Sequence, residues 1–279
     1  MNYAPEILSY MSSSKDITEV LLVPKAPPTE RREGKLIKFM DVVLSADDVR
    51  DTLVALRTHA PTLMGPLGRE GSFSFGMHGV GRFRVSYITQ RGSYVVSIIK
   101  TPMEIPRLYT LCEDEGIIPR LEELLRLSHQ RLYVIKGRDP IRTSTFVYSL
   151  LQHIVNTMSK VIFVLEKNLT FLLKHGSSLV VQREVGLDVE SFEEGLLDAM
   201  RINPDILYIN FQDVMSQREL DLLVRLSHMG TVVLLQAPVA EEHLLHSTGV
   251  VQIEVRPSGV SGKLKVQIME TLPEEPENR

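Results

Sequence analysis

Hydrophobic and polar positions along the chain fall into two textures. Through about residue 100, short apolar runs alternate with polar residues at the period of half-buried strands: residues 17–23 (ITEVLLV), 35–43, 72–75, 81–88 and 93–100. The last three read as antiparallel strands, punctuated by Gly76, Gly79, Gly81 and Gly92. Residues 5–11 read as a short helix and residues 24–33, rich in proline and charge, as a loop. Ser45 is placed to cap a helix over residues 46–58, with Val49, Leu53, Val54 and Leu56 as its apolar stripe. Pro102 and Pro106 mark a linker. Beyond it strands alternate with amphipathic helices: helices at 118–128, 144–158, 191–201 and 216–228, strands at 132–135, 161–166, 179–182, 205–209 and 231–236. Runs such as VIFVL and TVVLL suit central parallel strands covered on both faces. Residues 250–255 and 263–269 read as a closing hairpin around a turn at 257–262, and the tail from Pro273 is acidic. The pattern therefore predicts an α+β domain over residues 1–103 and an α/β domain over 109–279.

Composition removes several function classes. A formal net charge of −4 gives no electrostatic case for nucleic acid as the main partner. The single cysteine, Cys112, rules out an intrachain disulfide and a cysteine-based zinc site. No apolar run approaches the ~20 residues of a membrane span. Direct membrane insertion is not expected. The expected location is the cytoplasm, with docking on a membrane machine through a partner as the peripheral alternative.

The candidate chemistry sits at VIKGRDPIRTST, residues 134–145. An apolar strand runs into Gly137, and Ser144 and Thr145 open the predicted helix. Strand, turn and helix N-terminus form the frame of a phosphate-binding loop, GxxxxGK[ST]. Aligned on Gly137, the second glycine falls at Arg142, the lysine at Thr143 and the Ser/Thr at Ser144. Such a loop needs glycines so that backbone N–H groups can curl round phosphate, and a lysine to neutralise it. Here Pro140 removes an N–H and Arg142 adds a bulky side chain. Lys136, Arg138 and Arg142 read as a solvated basic turn.

Several further strings fall into one pattern: EGSFSF and GVGRFRV in the first domain, then Glu166, QREV (182–185) and Asn203-Pro204-Asp205 in the second. Thr143 stands 23 residues before Glu166. With these strings and spacings the chain resembles the bacterial secretion-motor ATPases, most closely the PilT type that retracts type IV pili. The resemblance covers nearly the whole chain. It implies a PAS-like α+β N-terminal domain followed by a RecA-like, P-loop-type core, and subunits that assemble as six-membered rings.

Carried over residue by residue, the resemblance implies a vestigial nucleotide site. Gly137, Arg142, Thr143, Ser144 and Thr145 stand at the phosphate loop. Glu166 matches the family's catalytic carboxylate, though its neighbour is Lys167 rather than an acid, and a strand-end Glu beside a Lys reads as an exposed pair. The magnesium-supporting acid falls on Phe211 counting forward from Pro204, where it is lost, or on Asp213 counting back from Gly230, where it is displaced. The family's histidine falls on Pro238, in Gln236-Ala237-Pro238. Arg82 and Arg84 match N-terminal-domain arginines that approach nucleotide, and Arg183 and Arg201 match arginines of the core. All four are phosphate-contact candidates, and each also reads as a salt-bridge partner. His243 and His246, in EEHLLH, read as a solvated turn rather than a metal site, and the family's C-terminal helical region shrinks to 239–247.

Three functional readings follow. The leading one is a pseudo-ATPase: no cofactor, no metal, and a regulatory or adaptor role beside a pilus or secretion motor ATPase or another cytoplasmic component of that machine. A homo-oligomer is the other assembly considered. The second is a divergent ATPase with weak ATP and Mg use at a rebuilt phosphate site, driven by Glu166 or Asp213. The third is a sensor of an anionic ligand such as a nucleotide second messenger, held by Lys136, Arg138, Arg142 and the arginines.

Overall fold

Strand alternation in the first hundred residues builds a six-stranded antiparallel sheet, ordered β3-β2-β1-β6-β5-β4. Its strands are β1 (Thr18–Leu22), β2 (Thr29–Arg32), β3 (Lys35–Lys38), β4 (Glu70–Met77), β5 (Gly81–Gln90) and β6 (Ser93–Pro102). These positions come from a computed structural model, which describes residues 1–14, 18–32, 35–60, 65–127, 132–211, 214–237, 250–260 and 262–270. Helices α1 (Ala4–Ser13) and α2 (Ala46–Arg57) contribute to the same core, which joins Ile7 and Met11 to Val49 and Leu53, and to Phe83, Val85, Val96 and Ile98 from the sheet. Ser45 and Asp48 form a reciprocal capping box at the start of α2. Because side chains alternate along β5, Arg82 and Arg84 lie on the sheet face opposite Phe83 and Val85.

Two expectations fail in this unit. The predicted strand 35–43 stops at Lys38, and the predicted loop 24–33 contains β2. The sequence TERR lacks apolar alternation, yet it pairs antiparallel with both β1 and β3. Near the sheet edge, pairing is satisfied by backbone alone and needs no apolar period. After Lys38 the chain turns so that Phe39 stacks on Tyr10, with ring centroids 3.8 Å apart.

The chain divides into compact units Met1–Glu104 and Ile105–Arg279. The second opens with α3 (Leu108–Leu111) and α4 (Ile117–Leu127). Then follow β7 (Leu132–Gly137), α5 (Pro140–Thr157), β8 (Val161–Glu166), β9 (Leu179–Glu184), α6 (Phe192–Ile202), β10 (Ile206–Asn210), α7 (Gln217–Met229), β11 (Val232–Gln236), β12 (Val250–Pro257) and β13 (Leu264–Glu270). The sheet order is β13-β12-β7-β11-β10-β8-β9, parallel except for β13, which closes the β12 edge as an antiparallel hairpin. Parallel strands require crossovers: α5, α6 and α7 join β7 to β8, β9 to β10 and β10 to β11, and residues 167–178 join β8 to β9 without a helix. Residues of β10 and β11 are buried throughout, as expected for strands covered on both faces. Among the described residues no helix is long and apolar enough to cross a membrane.

Candidate functional site

In an open parallel sheet, ligand chemistry gathers where strands end and the connections diverge. Here β7 is such a place, with β12 on one side and β11 on the other. Register sets the neighbouring strand ends level: Glu166 of β8 pairs with Asn210 of β10, which pairs with Gln236 of β11. Side chains at one level of a parallel sheet share a face. Glu166, Asn210 and Gln236 thus form a row, joined by Tyr208 two residues before Asn210. Helix α5 lies across the row and lowers Ser144 and Tyr148, one turn apart, onto it.

The helix begins earlier than the pattern predicts. The expected loop through Arg142 and Thr143 is absent, and α5 starts at Pro140 instead of Ser144. Asp139 is the reason. Its backbone is extended, as a residue before proline prefers. Its Oδ1 accepts hydrogen bonds from the Ile141 and Arg142 N–H groups, both at 3.1 Å. The Thr143 N–H and hydroxyl both donate to the Asp139 carbonyl, at 3.0 and 2.8 Å. The Thr145 hydroxyl donates to the Ile141 carbonyl. Gly137 is required by this tight return: a Cβ there would stand 2.0 Å from Thr143 Oγ1 and 2.9 Å from the Val255 carbonyl oxygen. Asp-Pro ahead of an apolar helix is the N-cap and first-turn proline signature. That signal was available in the sequence and was masked by the phosphate-loop frame.

Glu166 also departs from expectation. It is 1% exposed, not a surface partner of Lys167. Its Oε2 accepts from the Tyr148 hydroxyl at 2.5 Å and the Thr170 N–H at 3.0 Å, and its Oε1 accepts from Asn210 Nδ2 at 2.9 Å. The Tyr208 hydroxyl has one proton, shared between Gln236 Oε1 at 2.9 Å and Glu166 Oε1 at 3.3 Å. Gln236 Nε2 donates to Ser144 Oγ at 3.2 Å, which closes the network onto α5. Burial pushes the Glu166 carboxyl above its ordinary pKa, opposed by the hydrogen bonds from Tyr148, Asn210, Thr170 and Tyr208. Burial and the neighbouring carboxylate hold both tyrosine hydroxyls well above theirs. Tyr148 and Tyr208 were missed in the sequence. A tyrosine inside an otherwise aliphatic buried run, as in DILYIN, signals a hydroxyl that must find a buried partner.

The remaining candidates are dispersed. Ser144 joins the network, whereas Arg142 is exposed and pairs with Asp139 at 3.3 Å. Lys136 Nζ donates to Gln252 Oε1. Arg183 and Arg201 both reach the Asp198 carboxylate, at 3.4 and 2.6 Å. Arg82 and Arg84 belong to the first unit's sheet. Phe211 is buried and stacks on Phe192 with centroids 4.1 Å apart. Asp213, Pro238, His243 and His246 lie outside the described residues. Cys112 is buried, and desolvation raises its thiol to about 11. Among the described residues, no group of three or more His, Cys, Asp or Glu could hold a metal ion.

The fold matches those of a pilus retraction motor and of a second ATPase. It matches the crystal structure of the pilus retraction motor PilT with bound ADP at a TM-score of 0.72, with 23% identity, over 97% of this chain and 84% of that one. It matches the Legionella pneumophila ATPase DotB at 0.69, with 15% identity, over 96% and 81%. The sequence relatives are of the same kind, and the resemblance to PilT-type motor ATPases holds. The type IV pilus ATPase PilU of Pseudomonas aeruginosa is 25% identical over 225 residues, which are 81% of this chain and 57% of PilU. The type IV pilus retraction ATPase PilT of the same organism is 29% identical over 140 residues, 50% of this chain and 39% of PilT. The chain thus spans less than two thirds of the length of these relatives. No protein-family model matches it.

Proposed function

We propose that the chain is a PilT-like pseudo-ATPase, a non-hydrolysing regulatory or adaptor subunit that works beside an active type IV pilus or related secretion motor. In this reading residues 1–103 act as the PAS-like N-terminal domain and residues 109–279 as a RecA-like core that keeps its assembly surfaces. The location is the cytoplasm, at the inner face of the membrane through the motor.

The observation that carries the reading is the state of Glu166. A carboxylate that polarises an attacking water needs a free lone pair and a path to solvent. Glu166 has three donors on its two oxygens, a share of a fourth, and 1% exposure. Closure of the phosphate loop into α5 supports the same reading, because Pro140 has no N–H to offer a phosphate and those of Ile141, Arg142 and Thr143 are bonded to Asp139.

The test is phosphate release from Mg-ATP, measured with the purified chain alone and mixed with the PilT-type motor of its own cell. The expected result is no turnover by the chain alone and an altered rate for the motor in the mixture. Turnover by the chain that is abolished in Glu166→Gln would overturn the proposal in favour of a divergent ATPase.

A further inference from the structure

We propose that Asp139 is a built-in anion that takes the place of phosphate at the α5 N-terminus and keeps polyphosphate out. The inference deepens the pseudo-ATPase reading and rests on it. An 18-residue helix starting at the carboxyl end of a central strand attracts an anion, through its first N–H groups and its dipole. In this chain those groups are already engaged. Pro140 has no N–H, and those of Ile141 and Arg142 both point at Asp139 Oδ1. The Arg142 guanidinium meets Asp139 Oδ2 at 3.3 Å. Backbone N–H groups at a helix N-terminus and an arginine side chain are the contacts a bound phosphate oxygen would make, and one carboxylate makes them within the chain.

Exclusion therefore has two parts. The carboxylate occupies the donors, and its charge repels an incoming anion. Pro140 makes the arrangement durable, since it fixes its own φ and holds Asp139 extended, so the loop cannot readily open into a cradle. Removing the Asp139 side chain should leave two free N–H groups beside the exposed guanidinium groups of Arg138 and Arg142. That is a weak phosphate site which the wild type lacks.

The experiment uses the full chain and tripolyphosphate, which carries the phosphates without a nucleobase, read by calorimetry and by the shift in melting temperature. Asp139→Gly removes the carboxylate at a position where glycine caps with little loss, and Asp139→Ser keeps a neutral cap if the glycine variant fails to fold. The expected result is binding at least about tenfold tighter than wild type in Asp139→Gly, and a smaller gain, from loss of the charge alone, in Asp139→Ser, whose hydroxyl still accepts from the helix N–H groups. The gain should vanish when Arg138→Ala and Arg142→Ala are added. A folded variant that binds no more tightly than wild type overturns the inference, as does a gain that survives loss of both arginines. Hydrolysis of Mg-ATP by the wild type would instead sink the pseudo-ATPase reading. An inert wild type with inert variants removes only the role assigned to Asp139.

Discussion

Replacing Glu166 with alanine separates a structural carboxylate from a catalytic one. The substitution strands the Tyr148 hydroxyl, the Thr170 N–H and the Asn210 amide, which all donate to it. A buried donor without a partner costs about 1–3 kcal/mol, so three give a gross loss of about 3–9 kcal/mol. Two effects reduce it. The burial cost of the carboxylate disappears, and the vacated volume is polar enough for a water to satisfy part of the set. A net loss of about 3–5 kcal/mol is expected. With a urea m-value of about 2 kcal/mol/M, the unfolding midpoint of the second unit should fall by about 2 M, followed by far-UV circular dichroism. Glu166→Gln keeps the volume, and the rotatable tyrosine hydroxyls and the Asn210 amide can adapt to its NH2, so its loss should be about 1–2 kcal/mol. Active-site carboxylates behave oppositely, because removing a strained functional charge commonly leaves stability unchanged or higher. An unchanged or raised midpoint in Glu166→Ala would refute the structural assignment.

Three further outcomes are expected. The Glu166 pKa is raised on folding, so the native state binds more protons than the unfolded chain in the window above about 4.5, and wild type loses stability as pH rises through it. The stability gap between wild type and Glu166→Gln should therefore narrow from pH 4.5 upward in matched urea titrations, and a gap constant with pH would contradict this. Gly137→Ala should cost about 1–3 kcal/mol by overpacking against Thr143 and Val255. Adding Thr143→Ala should recover part of that loss in a double-mutant cycle, whereas strict additivity would show that the two side chains do not meet. Cys112, buried with its thiol near 11, should resist an aromatic disulfide reagent at pH 8 until urea unfolds the chain, and rapid native labelling would show that the site opens.

Much of the second unit was legible because its strands and helices differ in period and length. VIFVL and TVVLL suit central strands, and the helices expected at 191–201 and 216–228 form with Ser191 and Ser216 as their N-caps. Errors arose where backbone or buried polar groups decide the structure. β2 carries charge on an inner strand near the sheet edge, where pairing does not depend on side chains. α5 starts at Pro140 rather than Ser144 because Asp139-Pro140 caps the helix ahead of the position the phosphate-loop frame assigns. Glu166 was expected outside because Lys167 follows it, although successive strand residues face opposite ways and a neighbour's charge says little about burial. Residues converging on it from positions 148, 170, 208 and 210 are set by register and crossover, which no local pattern contains.

The altered boxes make sense as one physical unit. Ser144, Glu166, Asn210 and Gln236 stand at or beside four motif positions that the resemblance assigns to nucleotide chemistry, and the fold brings them to one set of strand ends. Polar groups in such a place must be paired, because an unsatisfied buried donor or acceptor costs as much as several apolar contacts return. In a motor that uses nucleotide, the ligand and its water can supply those partners. Here the partners are one another, together with Tyr148, Tyr208 and the Thr170 N–H. A chain that satisfies its strand ends internally no longer depends on a ligand to stabilise them. Restoring any one motif residue alone would then disrupt a satisfied network before it rebuilt a site. A single substitution such as Thr143→Lys should lose stability, through loss of the bond the buried Thr143 hydroxyl makes to the Asp139 carbonyl, without gaining nucleotide affinity.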